Sequence, residues 1–209
     1  GYRLFCVFSP AGVRHLYELP EHEASFGLAT FELVMKRKVP LELLVGRRTM
    51  PHDLFGKQDV EDYLEQLEEA VRLQLDELGE SGTFEVFTMM RRLGHRLGLA
   101  AWAGRTAASP PYLDRLIPLF DTLDSGDSFV RPAHAFVTWV LGKRREIRAM
   151  RGIEAVIGEI LGERESSSRR PSDYLQRIYD AFADVPVPER AIQTARDITY
   201  IGVSDYHAL

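Results

Sequence analysis

A mainly α-helical fold with a minor β element is what this sequence predicts, and three observations carry it. Apolar residues recur at steps of three and four over several long stretches. Proline, glycine and polar clusters fall between those stretches rather than within them. Only one short run, Leu4 to Phe8, has β character, and there is no internal repeat and no second strand-rich region.

The elements follow in order. Leu4 to Phe8 (LFCVF) reads as a strand, and Ser9-Pro10 as a helix cap with proline in the first turn. Ala11 to Leu19 is the helix they open, closed by Pro20. Residues 21 to 50 carry apolar side chains without long periodicity and are interrupted by Pro40, which predicts short helices and loops. From Asp59 the pattern sharpens. Val60, Leu64, Leu67, Val71, Leu75 and Leu78 form the inward stripe of an amphipathic helix, closed by Gly79 to Gly82. Thr83 is the expected cap of a second long helix, with Val86, Phe87, Met90, Leu93, Leu97 and Ala101 inward and an end near Gly104. Arg105 to Pro111 is then a loop, followed by a mixed helical stretch to Leu123 and a turn at Ser125-Gly126-Asp127. An aromatic segment, Phe129 to Leu141, precedes a clear helix over Lys143 to Glu163. Ser166 to Arg170 is a polar linker, Ser172 caps a short helix, and Pro186 and Pro188 interrupt the chain before a last helix opened by Glu189.

The bulk properties narrow the partners. Across 209 residues, 45% are hydrophobic and 27% charged, as in ordinary globular proteins. A net charge of −5 argues against a nucleic-acid partner, which needs a concentrated basic surface. Cys6 is the single cysteine, so neither an internal disulfide nor a thiolate zinc cluster can form. No apolar run reaches the ~20 residues of a membrane span. The chain opens on Gly1 without an initiator methionine, and its last apolar helix is barely under way at Leu209, so continuation is expected at both ends.

Most constellations that could carry chemistry have a plainer reading. His52 and Asp53 are adjacent and would point to different helix faces, which favours a cap or surface role. His95 lies among Arg91, Arg92 and Arg96 without a spaced partner, and His134 and His207 have none at metal-ligand spacing. No metal site is expected. Cys6 in an apolar run reads as a small buried hydrophobe, and the acidic face from Glu61 to Glu80 as solvated surface. No P-loop, His-Glu-x-x-His or Gly-x-Ser-x-Gly element occurs.

Several phrases, in order, resemble the N-terminal half of a cytochrome P-450. FSPAGVRHLYELPE (Phe8 to Glu21) resembles the first sheet and B helix of that family, and the stretch from Gly46 to Phe87 its C and D helices. RLGHRLGLAAWAG (Arg92 to Gly104) is similar to the E helix, and KRREIRAMRGIEAVIGEILGERE with PSDYLQRIYDA to the G helix and the phrase after it. ARDITYIGVSDYHAL resembles the start of the long I helix, and the flavour is nearest the sterol-demethylase and prostacyclin-synthase branches. On this resemblance residues 1 to 209 form a single incomplete domain of a haem-dependent monooxygenase acting on an apolar, sterol- or lipid-like substrate. It implies an electron-donating redox protein and a place in the cytoplasm or on a membrane facing it. Arg47 and Arg48 would face the haem propionates, and Phe26, Phe31 and Met35, with the Phe129 to Trp139 region, would roof the substrate. Gly202 would leave room for ligand, and Asp205 would stand where the family's oxygen-activating threonine is expected.

The departures are specific. The Phe-x-x-Gly-x-x-x-Cys-x-Gly loop that supplies the iron's thiolate is absent, and Cys6 cannot replace it. Counting four back from Arg48 gives Leu44, so only the basic half of the family's propionate pair matches. Glu69 and Arg72 have Glu-x-x-Arg spacing by chance, on an amphipathic helix rather than the family's K helix. The chain alone should therefore be inactive. A different class of reading is a helical binding or scaffolding module without cofactor, in which Phe26, Phe31 and Gly202 lie in a closed core instead of around a cavity.

Overall fold

Side-chain caps written into the sequence start three of the described helices. The computed structural model describes residues 7–20, 23, 35–43, 46, 48, 56–124, 131–167 and 171–205, leaving out the side chains of Gln58, Pro132, Ser204 and Asp205. Helix α1 (Pro10–Glu18) begins where expected, the Ser9 hydroxyl accepting from the Gly12 amide at 3.0 Å. Helix α2 (Val60–Leu78) ends at Gly79, whose φ of 70° is readily available only to glycine. Helix α3 (Val86–Ala108) is capped by Glu85, which accepts from the Phe87 and Thr88 amides, rather than by Thr83.

The expected loop from Arg105 is not present. Helix α3 breaks direction at Gly104 (φ 79°, ψ 172°), resumes to Ala108, and α4 (Pro110–Leu123) follows after Ser109 alone. The aromatic segment contains α5 (Pro132–Val140), and α6 (Arg144–Ser166) starts after Gly142 and Lys143, both left-handed. Helix α7 (Tyr174–Ala181) is capped by Asp173 rather than Ser172, its carboxylate accepting from the Gln176 amide at 3.0 Å. The prolines before the last helix open it instead of delaying it. Helix α8 (Val187–Asp205) carries Pro188 in its first turn, where the missing amide proton costs no helical bond.

The fold is mainly α. Among the described residues there is no strand: Val7 and Phe8, the described end of the expected β run, are non-strand, and Phe8 is 91% exposed. Leu4 to Cys6 lie outside the described residues. No described helix is long and apolar enough to cross a membrane.

Helix α8 runs through the middle, touching α3, α4, α6, α7 and the 3-10 turn Leu41–Leu43. Its Ile198 and Ile201 meet a core that includes Leu99, Leu116, Phe120, Ile153 and Ile157. Each such aliphatic side chain contributes roughly 1.5–3 kcal/mol on burial. The buried hydroxyls of Thr194 and Thr199 donate back to the carbonyls of Arg190 and Ala195 at 2.8 and 2.6 Å, so neither needs a partner outside the helix.

The expected inward stripe of α2 is corrected by the packing. Val60, Leu64, Val71 and Leu75 are exposed, while Ala70 and Gln74 are buried. On α3, Val86, Phe87 and Met90 are likewise exposed, and Ala100, Ala103, Ala107 and Ala108 are buried. Small residues let helix axes approach closely, so the contacting face here is the alanine face. Val86, Phe87 and Met90 lie on the other side, while Leu97 and Leu99 pack into the core.

Candidate functional site

Of the residues expected around one cavity, the described ones, Met35, Gly202 and Arg48, lie in the core or at the surface. Met35 is 2% exposed within the hydrophobic core. Gly202 is also buried, and a Cβ on it would meet the Phe120 ring at 2.7 Å and the Trp102 ring at 2.9 Å. The room that this glycine leaves is filled by two aromatic side chains of α3 and α4. Arg48 lies at the surface, its guanidinium bonded to the Asp184 carboxylate and 5.2 Å from the centre of the Phe182 ring. That pair holds the Arg48 pKa above and the Asp184 pKa below their ordinary values, principally through the hydrogen bond itself. Trp139 is exposed on α5 with Phe136 beside it, ring centres 5.9 Å apart. Asp205 ends α8. Phe26, Phe31, Arg47, Cys6, His52, Asp53, Phe129 and His207 lie outside the described residues.

These positions do not by themselves fit a haem. No described residue supplies a thiolate, and Asp184 already takes the charge of Arg48 that a propionate would use. No group of three or more His, Cys, Asp or Glu among the described residues is placed to hold a metal ion.

A constellation that the sequence did not reveal is built where α3 breaks. At Gly104 the backbone enters a region that only glycine occupies readily. Against it sits a buried, doubly bonded pair, with Arg164 donating from Nη1 and Nη2 to Asp173 at 2.7 and 2.6 Å. Arg164 Nη2 also reaches the Ala103 carbonyl at 3.4 Å, while its Nε is buried without a partner. Beside the pair opens a groove of about 580 Å³, walled by Asp62, Glu65 and Gln66 of α2, Arg105 and Thr106 of α3, and Ser172. A second ion pair closes the neighbouring end: Arg177 grips both oxygens of Asp59 at 2.5 and 2.7 Å. Hydrogen bonds from Arg177 and then from the Gly56 amide hold the Asp59 pKa down to about 2.

The chemistry of this groove is that of a structural polar joint. Each arginine is matched by a carboxylate, and Glu65 balances Arg105 at the rim at 3.7 Å. The groove therefore has no excess positive charge for an anion. The sequence held one indirect signal, a glycine after the otherwise alanine-rich end of α3; nothing in spacing linked it to Arg164 or Asp173, 60 and more residues away.

A polar network also joins α2, α3 and α4. Arg91 and the His95 ring both contact the Asp121 carboxylate, the ring nitrogen at 3.1 Å. The carboxylate alone would favour a charged ring, but Arg91 already neutralises it. Burial, and next the nearby Arg91 charge, bring the His95 pKa down to about 4. The network makes His95 a neutral, bonded core residue rather than a proton-transfer group at neutral pH.

Compared with protein families, with curated proteins and with solved structures, the chain matches none.

Proposed function

We propose that the chain is the helical half of a haem-thiolate monooxygenase of the cytochrome P-450 type, whose iron-binding cysteine lies on a segment other than these residues. Its substrate would be an apolar, sterol- or lipid-like molecule and its electrons would come from a separate redox protein. Its place would be the cytoplasm or a membrane surface facing it.

The observation that carries this reading is the position of α8. The segment that resembles the family's I helix is the helix about which α3, α4, α6 and α7 are arranged, with Ile201, Gly202 and Val203 buried along it. The exposed apolar stripe of α2, with Leu64 and Leu75 more than half exposed, supports it further. In a larger fold that stripe is an internal face, and burying its four large side chains would contribute several kcal/mol. On this reading the chain alone is inert, Gly202 serves close helix packing, and Asp205 keeps its place at the threonine position.

Expressing the longer reading frame and recording its reduced, carbon-monoxide-bound spectrum tests the proposal. The expected results are a Soret band of the thiolate-ligated type and a downstream Glu-x-x-Arg followed by the cysteine loop. A product without that loop that takes up no haem would overturn it.

A helical binding or scaffolding module is the second reading. Met35 and Gly202 favour it, because both are enclosed by core side chains instead of bordering a cavity.

A further inference from the structure

The ion pairs around the polar groove leave one carboxylate over. Arg177 takes both oxygens of Asp59, and Arg164 takes both of Asp173, whose Oδ1 also accepts from the Gln176 amide. Glu65 faces Arg105 at 3.7 Å. Asp62, in the first turn of α2, is exposed and makes no hydrogen bond or ion pair with a described residue. Arg177 spends these bonds on Asp59 and reaches Asp62 only through a longer-range attraction. The groove thus carries one unmatched negative charge with both oxygens open to a donor.

A recess of about 30 Å³ adjoins the groove and shares Asp62, Gln66 and Ser172 with it. That is room for about one water-sized group. Tyr63 and Tyr174 also line it. A carboxylate with open acceptors beside phenol rings favours a cation, through charge-assisted hydrogen bonds and the negative ring faces. A hard metal ion needs several oxygen ligands, and no described group of three acids is placed to supply them. An ammonium group, which one carboxylate can balance, is the cation that fits.

The rest of the groove says what that ammonium is attached to. Its volume of about 580 Å³ lies in the range of small-molecule sites. The Gln66 amide and the Thr106 and Ser172 hydroxyls line it, and none bonds to a described residue. Each of these groups both donates and accepts, which suits hydroxyls rather than hydrocarbon. Arg164, also in the lining, keeps Nε buried without an acceptor. A donor lacking its acceptor at the groove points to an oxygen-bearing guest.

We propose that the groove and its recess bind a small organic ammonium ion with a hydroxylated body, of the amino-sugar or amino-alcohol class. The ammonium occupies the recess and donates to Asp62, while the hydroxyls meet Gln66, Thr106 and Ser172. No residue of α8 lines the site, so it operates whether or not the whole protein carries a haem. Asp62 also stands in a first helical turn, where a carboxylate offsets the helix dipole. That role alone would affect stability but would not discriminate between ligands.

The test titrates the 209-residue chain with glucosamine, N-acetylglucosamine and putrescine by calorimetry, with amide NMR shifts locating the site. Glucosamine should bind saturably and shift the amides of Asp62, Gln66, Thr106 and Ser172. N-acetylglucosamine keeps the hydroxyls without the charge, and putrescine keeps charge without hydroxyls; both should bind at least about tenfold more weakly. Asp62→Asn should weaken glucosamine by about tenfold or more and bring it level with the acetylated sugar. Ser172→Trp, which fills the groove without altering a charge, should abolish binding. Both positions are exposed, and an unchanged circular dichroism spectrum checks that the variants fold. No saturable glucosamine binding, equal binding of either control, or indifference to both substitutions would overturn the proposal. So would self-association abolished by Asp62→Asn, which would make a lysine of a second copy the occupant.

Discussion

Gly104→Ala should be among the most damaging single changes in this protein. A Cβ at Gly104 would lie 2.1 Å from the Asp173 carboxylate and 2.8 Å from Arg164 Nη2, both far inside contact distance. Two costs add. The backbone conformation at φ 79°, ψ 172° is strained for any residue with a Cβ, at about 1–3 kcal/mol. Displacing Asp173 leaves Arg164 buried without its partner, and breaking a buried pair costs about 3–5 kcal/mol. Asp173 also caps α7, so its displacement would loosen that helix too. The sum, on the order of 4–8 kcal/mol, is comparable with the whole stability of an ordinary domain, about 5–15 kcal/mol. Urea unfolding followed by far-ultraviolet circular dichroism would show a much lower midpoint. In an Asp173→Ala background the same glycine change should cost less, because the closer clash has gone and only the one with Arg164 Nη2 remains. A loss under about 1 kcal/mol for Gly104→Ala, with an unchanged denaturant slope, would refute the reasoning.

Other sites give further expected outcomes. His95 has a folded pKa of about 4 against an ordinary 6.5, so protons bind the unfolded chain first as pH falls. Stability should then decline between about pH 6.5 and 4, by on the order of 3 kcal/mol, and flatten below; His95→Gln should remove that slope in urea titrations. Arg96 is fully buried with Nε and Nη1 unpartnered and Glu77 as its acid, so Arg96→Met should be nearly neutral or stabilising in thermal melts. Glu77→Gln should cost about 3 kcal/mol, since the Arg96 charge would stay buried; burial pushes the Glu77 pKa up, but hydrogen bonds from Arg92 and Arg96 outweigh it and hold it below normal. Gly202→Ala should lose about 1–3 kcal/mol by pressing on Phe120 and Trp102, measured by the same unfolding assay.

Which parts of this molecule could be seen in its sequence depended on how local their causes are. Ser9-Pro10, Gly79 and the arginine-rich start of α6 mark helix ends through contacts a few residues long, and those helices lie where the pattern put them. The Gly104 break was legible only as an end, because what holds α3 on course past it is Arg164 and Asp173, brought from elsewhere in the chain. The outward turn of Leu64 and Leu75 was not legible, since apolar periodicity identifies a face but not which of two faces receives a neighbour. Arg48 was legible as a cation but not as the partner of Asp184, 136 residues away. The polar groove had no sequence signal beyond Gly104, being assembled from α2, α3, α6 and the cap of α7.

The Lys143 ammonium ties together two parts of the chain that are far apart in sequence. Its bonds to Lys36 and Val39 close a loop of 104 to 107 residues. Closing a loop that long costs about 4 kcal/mol of chain entropy, and two hydrogen bonds to a charged donor return about 1.5–3 kcal/mol each. Docking of residues 35–43 is therefore close to balanced by this one ammonium, and the burial of Met35, Val39 and Leu43 tips it toward the docked state. The attachment of residues 35–43 thus rests largely on one ammonium and three buried apolar side chains.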